Sequence, residues 1–456
     1  MYFLLIVTLS TAFFARHLVK SEILPSVASY LPEICSLIMA AVITFRAFQN
    51  PERIARAAYL GLFAALALIS LGGIFVNDVS AGIVFAALRS YLVALPLFLF
   101  PFFYPADEKT LRRAFWFLIL CAIVQIPVAY EQRMFTSFQG ETTGDWTIGT
   151  IGNSGMLSIF LILIVCLVTA AYAKRIFGFF SFFILTVLVM FPTMLNETKA
   201  TVLLAPTAML VILAVGSDKG ARVKSIALGT VVLLLFGTIF VQVYDYFMVP
   251  RWGYGLVDFF LMEGRVEGYL SKGATVGSSK AGHLDGLLQP IIHVHQEIVR
   301  WAFGYGAGNI SDSALGSQFR GRYFAQFDGL SVGTAGLLIL ELGFPAFILA
   351  LLFVVMIAND SFRASESNEG MTGVFALAAT GAASVMFLMI VYKNVLLSPA
   401  ICFLFAFLAG QAVSCKRVVS TGLPAKGALM EVTPNRQLSS RELGITRGNL
   451  GNSRPV

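Results

Sequence analysis

The sequence predicts an all-α integral membrane protein with about twelve transmembrane helices and one large, partly helical outer loop between the ninth and tenth. Three observations predict it. Only 12% of the 456 residues are charged and 57% are hydrophobic, with a mean hydropathy of +0.81; a soluble domain carries about twice that charge fraction. Apolar runs of roughly 20 residues, enough to cross a hydrocarbon core, recur along the chain. Polar residues gather in one long stretch, 249–330, with apolar runs on both sides. The runs lack the short alternating pattern of barrel strands, which excludes a transmembrane β-barrel.

Taken in order, the spans fall near residues 2–18, 30–48, 57–76, 81–103, 114–131, 149–173, 176–195, 200–216, 226–247, 331–358, 371–391 and 394–415. Met1–Phe14 has no basic segment ahead of its apolar run, so it reads as the first span and not as a signal peptide. Only Lys393 and Asn394 separate the last two spans, which predicts a tight helical hairpin. Residues 1–248 thus carry nine spans, 249–330 the loop and 331–415 three more spans. The remainder, 416–456, is rich in Gly, Ser, Pro and Arg without apolar periodicity and reads as a disordered tail.

Loop charges set the orientation. With the amino terminus inside, the inner loops carry Arg46, Arg53 and Arg56, then Lys109, Arg112 and Arg113, then Lys174 and Arg175, then Lys219, Arg222 and Lys224. The short outer loops carry Arg16 and Lys20, then Arg133, Lys199 and Lys393. The excess of Lys and Arg inside places both termini in the cytoplasm and the 249–330 loop outside. The same bias, with anionic lipid facing the basic tail, accounts for the net charge of +7 without nucleic acid. All five cysteines lie in or at the ends of apolar runs, which gives neither a disulfide framework nor a cysteine metal site. No inner loop is long enough to fold as a nucleotide-binding domain.

The loop is charge-balanced: from Arg251 to Asp328 it holds seven Lys/Arg and seven Asp/Glu. An anion site in it must therefore come from local placement. Helices are predicted over Gly255–Leu270 and Leu287–Phe303. Candidate phosphate contacts are Lys199, entering a span behind Thr198, and Arg265, in Glu263-Gly264-Arg265 on the first loop helix. Arg300, Arg320 and Arg322 complete the set, since an arginine fork suits a pyrophosphate. Each has a plainer reading as a snorkelling or ion-paired side chain. His283, His293 and His295 are candidate general bases, because imidazole titrates near neutrality. In His293-Val294-His295, residues two apart on a helix diverge, so no metal is expected. Gly304-Tyr305-Gly306-Ala307-Gly308 reads as a tight, amide-rich turn, there being no βαβ unit to make it a dinucleotide site. Arg89 and Glu341 are the ionisable residues nearest mid-membrane, and such residues are functional suspects.

Over roughly residues 145–360 these pieces resemble the superfamily of O-antigen ligases and Wzy-type polysaccharide polymerases. Thr150-Ile151-Gly152-Asn153-Ser154-Gly155 looks like the Gly-x-x-x-Asn-x turn of that family. Glu197-Thr198-Lys199-Ala200-Thr201 is similar to its Thr-x-Ser-Arg-Gly/Ala stretch, with Lys199 where Arg is usual. Gly264-Arg265, the Gly304–Gly308 turn and Leu340-Glu341-Leu342-Gly343-Phe344-Pro345-Ala346 resemble three further motifs, Ala346 replacing the last Gly. The resemblance implies about twelve spans with a large periplasmic loop in the inner membrane of a bacterium. It also implies metal- and cofactor-free transfer of a glycan from an undecaprenyl-pyrophosphate carrier to an acceptor sugar. Expected partners are the lipid-linked oligosaccharide, membrane lipids, a chain-length regulator and a flippase. Ligases carry a His-Asn pair where this chain has Val332-Gly333, which favours a polymerase of O-antigen or exopolysaccharide over a ligase. A polysaccharide or solute transporter is the alternative from another class, but its paired intramembrane charges and repeats are not evident.

Overall fold

The computed structural model describes residues 2–50, 58–135, 146–196, 198–217, 220, 222–266, 284–313, 315–327 and 333–421. Among the described residues ten helices precede the polar segment: α1 (Tyr2–Lys20), α2 (Leu31–Gln49), α3 (Ala58–Val76), α4 (Ala81–Leu92), α5 (Leu95–Phe103), α6 (Glu108–Phe135), α7 (Ser154–Ala173), α8 (Phe179–Leu195), α9 (Thr201–Gly216) and α10 (Arg222–Trp252). Short helices described from end to end within it are α11 (Leu256–Leu261), α12 (Asp285–His295), α13 (Ile298–Phe303) and α14 (Phe324–Phe327). Three follow: α15 (Thr334–Ser367), α16 (Gly370–Tyr392) and α17 (Pro399–Thr421). No strand occurs among the described residues. Among the described residues, eight helices are long and apolar enough to cross a membrane, or nine if the bent pair α4–α5 is one span; α8, α9 and the apolar part of α17 are shorter. The chain is a multi-pass α-helical membrane protein.

The centre of the bundle is α7 and α16, both almost wholly buried. α16 packs against α15, α17, α7 and α9. Its buried Ala376, Ala378, Ala379, Ala382 and Ala383 let neighbouring backbones come close, as small residues do in membrane bundles. α3 and α10 lie at the periphery and expose most of their apolar surface. Contacts sort the helix ends into two faces. On one, Tyr2 donates to Tyr104 O, Lys174 to Ser365 O and Tyr59 to Asp360. On the other, the loop face, lie residues 255–266, 298–327, the 149–153 turn and the link before α17.

Several local expectations are corrected. The span expected over 81–103 is two helices meeting at 49°. Pro96, in the first turn of α5, lacks an N–H, and its ring crowds the carbonyl four residues back, so one helix cannot run through. The loop helix expected over Gly255–Leu270 is interrupted: α11 ends at Leu261, a turn follows in which Gly264 has φ +76°, and helical backbone resumes at Arg265, with 267–270 outside the described residues. The second loop helix is divided into α12 and α13 by Glu297, whose backbone is extended (φ −133°, ψ 129°). The tight hairpin at Lys393-Asn394 is a longer link, because α17 starts at Pro399, where a missing N–H costs nothing in a first turn. α17 also runs to Thr421, into the segment expected to be disordered; 422–456 lie outside the described residues.

Arg89 does not snorkel to the surface: it pairs with Glu33 of α2, both side chains being largely sheltered. Removing either partner alone leaves a sheltered charge, whereas removing both does not. Thermal unfolding of Arg89→Ala, Glu33→Ala and the double variant is therefore expected to show the double costing less than the sum of the singles.

Candidate functional site

The loop face holds two arrangements built from sequence-predicted residues. The first surrounds the amino end of α7. Its lead-in turn is clamped by two buried amides of α6. Gln132 Oε1 accepts from Ile148 N (2.9 Å) and Gly149 N (2.8 Å) and its Nε2 donates to Gly149 O (3.0 Å). Gln125 Oε1 accepts from Thr150 N at 2.8 Å. Asn153 then caps α7, its Oδ1 accepting from Met156 N at 3.1 Å. Arg16 lies against Gly152 and Lys393 against Gly155, at 3.0 and 3.4 Å from where a Cβ would sit. Two cations thus flank a helix amino terminus, where backbone N–H groups already favour an anion. Gln132→Ala would strand two buried amides, and a loss of roughly 1–3 kcal/mol is expected, read as a lower thermal midpoint.

Lys199 stands at the α8–α9 junction, which is bound to the same end of α7. Buried Asn196 fixes that junction to α7: its Nδ2 donates to Ser154 O (3.1 Å) and Ser158 Oγ (3.0 Å), and its Oδ1 accepts from Thr198 N (3.1 Å). Lys199 Nζ lies 4.8 Å from the centre of the Phe259 ring. Phe259 stacks on Tyr254 with centroids 6.5 Å apart, and the Arg265 guanidinium covers Tyr254 at 4.0 Å. One aromatic pair therefore joins Lys199 to Arg265, although 66 positions separate them in sequence (265 − 199). α11 holds Phe259 in place: Asp245 of α10 accepts from Leu256 N at 2.7 Å, and Asp258 from Gly255 N at 3.1 Å. Arg265 is exposed and Lys199 half-buried, so both can meet a ligand arriving at the membrane surface.

The second arrangement centres on Glu341, fully buried in α15. Its Oε2 accepts from Gly308 N (2.7 Å), its Oε1 from Ser311 N (2.8 Å), and Tyr91 Oη also donates to it. α15 breaks at Gly343 (φ 79°, ψ 178°), which frees carbonyls of the preceding turn. Leu340 O and Glu341 O accept from Tyr305 N (2.6 Å) and Gly306 N (3.0 Å). The approach needs glycine on both sides. Gly304 has φ +59° and a Cβ there would strike Leu340 O, while a Cβ on Gly343 would lie 2.5 Å from Trp301 O. The amide-rich Gly304–Gly308 turn thus binds an internal carboxylate and two internal carbonyls, not an external anion.

The remaining arginine candidates are engaged by groups of the protein itself, within the loop or, for Arg322, before α4. Arg300 pairs with Glu297 (2.9 Å) and donates to Tyr305 Oη (3.1 Å). Arg320 grips Asp312 with two bonds, 2.6 and 3.2 Å, holding that carboxyl below the usual carboxylate range. Arg322 donates to Asn77 O at 3.1 Å. His293 sits edge-on to Phe327 at 5.3 Å, whereas His295 is exposed, with buried Val294 between them. His283 and Glu197 lie outside the described residues. Arg16, Lys393, Tyr91, Gln125 and Gln132 take part without having been singled out as candidates in the sequence. The only available signal was polarity inside or beside apolar runs. No protein-family model matches this chain, and a search of curated proteins finds no match.

Proposed function

We propose that the protein is a glycosyltransferase of the lipid-linked type, a Wzy-like polymerase that extends a polysaccharide on the periplasmic side of a bacterial inner membrane. The observation that carries this reading is the joining of Lys199 and Arg265 on one aromatic pair beside the α7 amino terminus. Such a cluster at a membrane surface suits the pyrophosphate of an undecaprenyl carrier, whose glycan would lie over the loop face. In the reaction the acceptor hydroxyl oxygen forms a bond to the anomeric carbon as the bond to pyrophosphate breaks, inverting that centre. Lys199 and Arg265 stabilise the charge developing on the departing pyrophosphate. A base on α12 takes the hydroxyl proton; His295 is the more exposed of its two histidines.

This reading carries twelve spans with the 249–330 loop outside. In cells freed of the native cysteines, Ser279→Cys is expected to react with a membrane-impermeant maleimide added from the periplasmic side. Labelling only after the membrane is opened would reverse the orientation. The activity itself is tested by incubating purified protein with lipid-linked oligosaccharide, with and without a chelator. Longer lipid-linked chains in both cases are expected. Transfer of finished glycan to a different acceptor, without lengthening, would identify a ligase instead.

A further inference from the structure

Behind the peripheral helix α3 lies a cavity of about 130 Å³. Leu66, Tyr91, Phe98, Ala350, Met386 and Leu396 contribute to walls drawn from α3, the α4–α5 bend, α15, α16 and the link before α17. Backbone geometry makes it: α4–α5 bends by 49° at the level where α15 breaks at Gly343, a level fixed by the bond from Tyr91 to Glu341. Its lining on α15 includes residues on both sides of the break at Gly343, from Thr334 to Val354, so the cavity is a slot that follows the kink.

The slot has no polar group to offer. The Tyr91 hydroxyl is engaged by Glu341, that of Thr334 by Lys393 O and Val395 N, and the Cys402 thiol by Val395 O. The other lining side chains are apolar. Water would find no partners there, and only a hydrocarbon is matched to it. α3, which closes the slot on one side, exposes Leu68 and Phe75 on its outer surface and is the least buried of the crossing helices. A chain can therefore enter from the bilayer past α3.

The slot is also separate from the cation site. The link before α17 lies between them: Lys393 meets Gly155 of α7, while Val395 and Leu396 line the slot. Across Tyr91, towards the loop face, Ser90, Ser311 and Ser313 line part of a small pocket of mixed polarity, where their hydroxyls can meet sugar hydroxyls. A polymerase of the kind proposed above joins two lipid-borne glycans, so it needs places for two hydrocarbon tails. We infer that the slot holds the polyprenyl chain of the lipid-linked acceptor, an assignment that rests on the transferase reading, with the donor pyrophosphate on the far side of the link at Lys199 and Arg265.

The test is photolabelling of the full chain in lipid nanodiscs by a polyprenyl phosphate carrying a diazirine near its tail. Label is expected on peptides containing Leu338–Val354 and Met386–Cys402, competed by unlabelled polyprenyl phosphate. Ala350→Phe and Leu66→Trp should each reduce that label about tenfold, the loss expected when even two methylenes are kept from burial. Unchanged thermal midpoints and undiminished label near Lys199 would show that both variants are folded. Absence of label in the slot, equal label from a diazirine phospholipid, or label insensitive to both substitutions overturns the inference. Because labelling needs no turnover, a labelled slot in a protein that makes no polymer would sink the transferase reading alone. Polymer formation with an unlabelled slot would sink the slot assignment alone.

Discussion

Lys199→Ala and Arg265→Ala are each expected to cut the yield of long-chain polysaccharide about a hundredfold or more, the usual loss when one preorganised partner of a developing oxyanion is removed. The expectation rests on what each cation already touches. Each is held over an aromatic face, Phe259 or Tyr254, which orients the cation at the place proposed for the pyrophosphate. Arg320 is the internal comparison: it is already gripped by Asp312 through two bonds, so Arg320→Ala should leave chain length nearly intact. Lys199→Arg, which keeps the charge, should retain most activity. The measurement is gel sizing of surface polysaccharide at matched protein level. Long chains of normal abundance in Lys199→Ala would remove that residue from the site.

Glu341→Ala should be the most damaging single change to the fold. It strands the buried amides of Gly308 and Ser311 and the Tyr91 hydroxyl together. At about 1–3 kcal/mol for each of the three orphaned groups the loss is roughly 3–9 kcal/mol, a large part of the stability of a typical domain. Glu341→Gln should rescue little. Each carboxylate oxygen accepts from a different N–H, and a Gln amide nitrogen would face one of those donors with another donor. Thermal unfolding in detergent, with limited proteolysis after Arg300 and Arg322, reads both the stability and the release of the loop. Wild-type melting of Glu341→Ala would refute the role given to the carboxylate.

The membrane-crossing helices were legible because hydropathy is a local property: twenty apolar residues read alike wherever they sit. The bend at Pro96 was legible in principle, and so was the break at Gly343, because Pro345 has no N–H to give the carbonyl of Glu341. What could not be read is that the turn from 304 to 308 docks on the freed carbonyls from another part of the chain. Site residues divided in the same way. Lys199 and Arg265 stood out as cations beside small residues, yet their meeting depends on Phe259 and Tyr254, which look like ordinary apolar loop residues. Arg16 and Lys393 looked like charges closing short outer turns, and only the folded bundle sets them on α7. Glu341 was suspicious from its depth, but its partners could not be named, because two of them are backbone amides and have no sequence signature.

The docking of the Gly304–Gly308 turn into α15 also fixes an order of events during synthesis. Gly308 bonds to a residue 33 positions later in the chain, and Tyr91 reaches the same carboxylate across 250 positions. When the loop leaves the ribosome, the helix that receives it has not been made. The loop cannot complete these bonds until α15 has been made and broken at Gly343. α15 is then a latch as well as a candidate span: maturation of the loop face is withheld until that helix is in place.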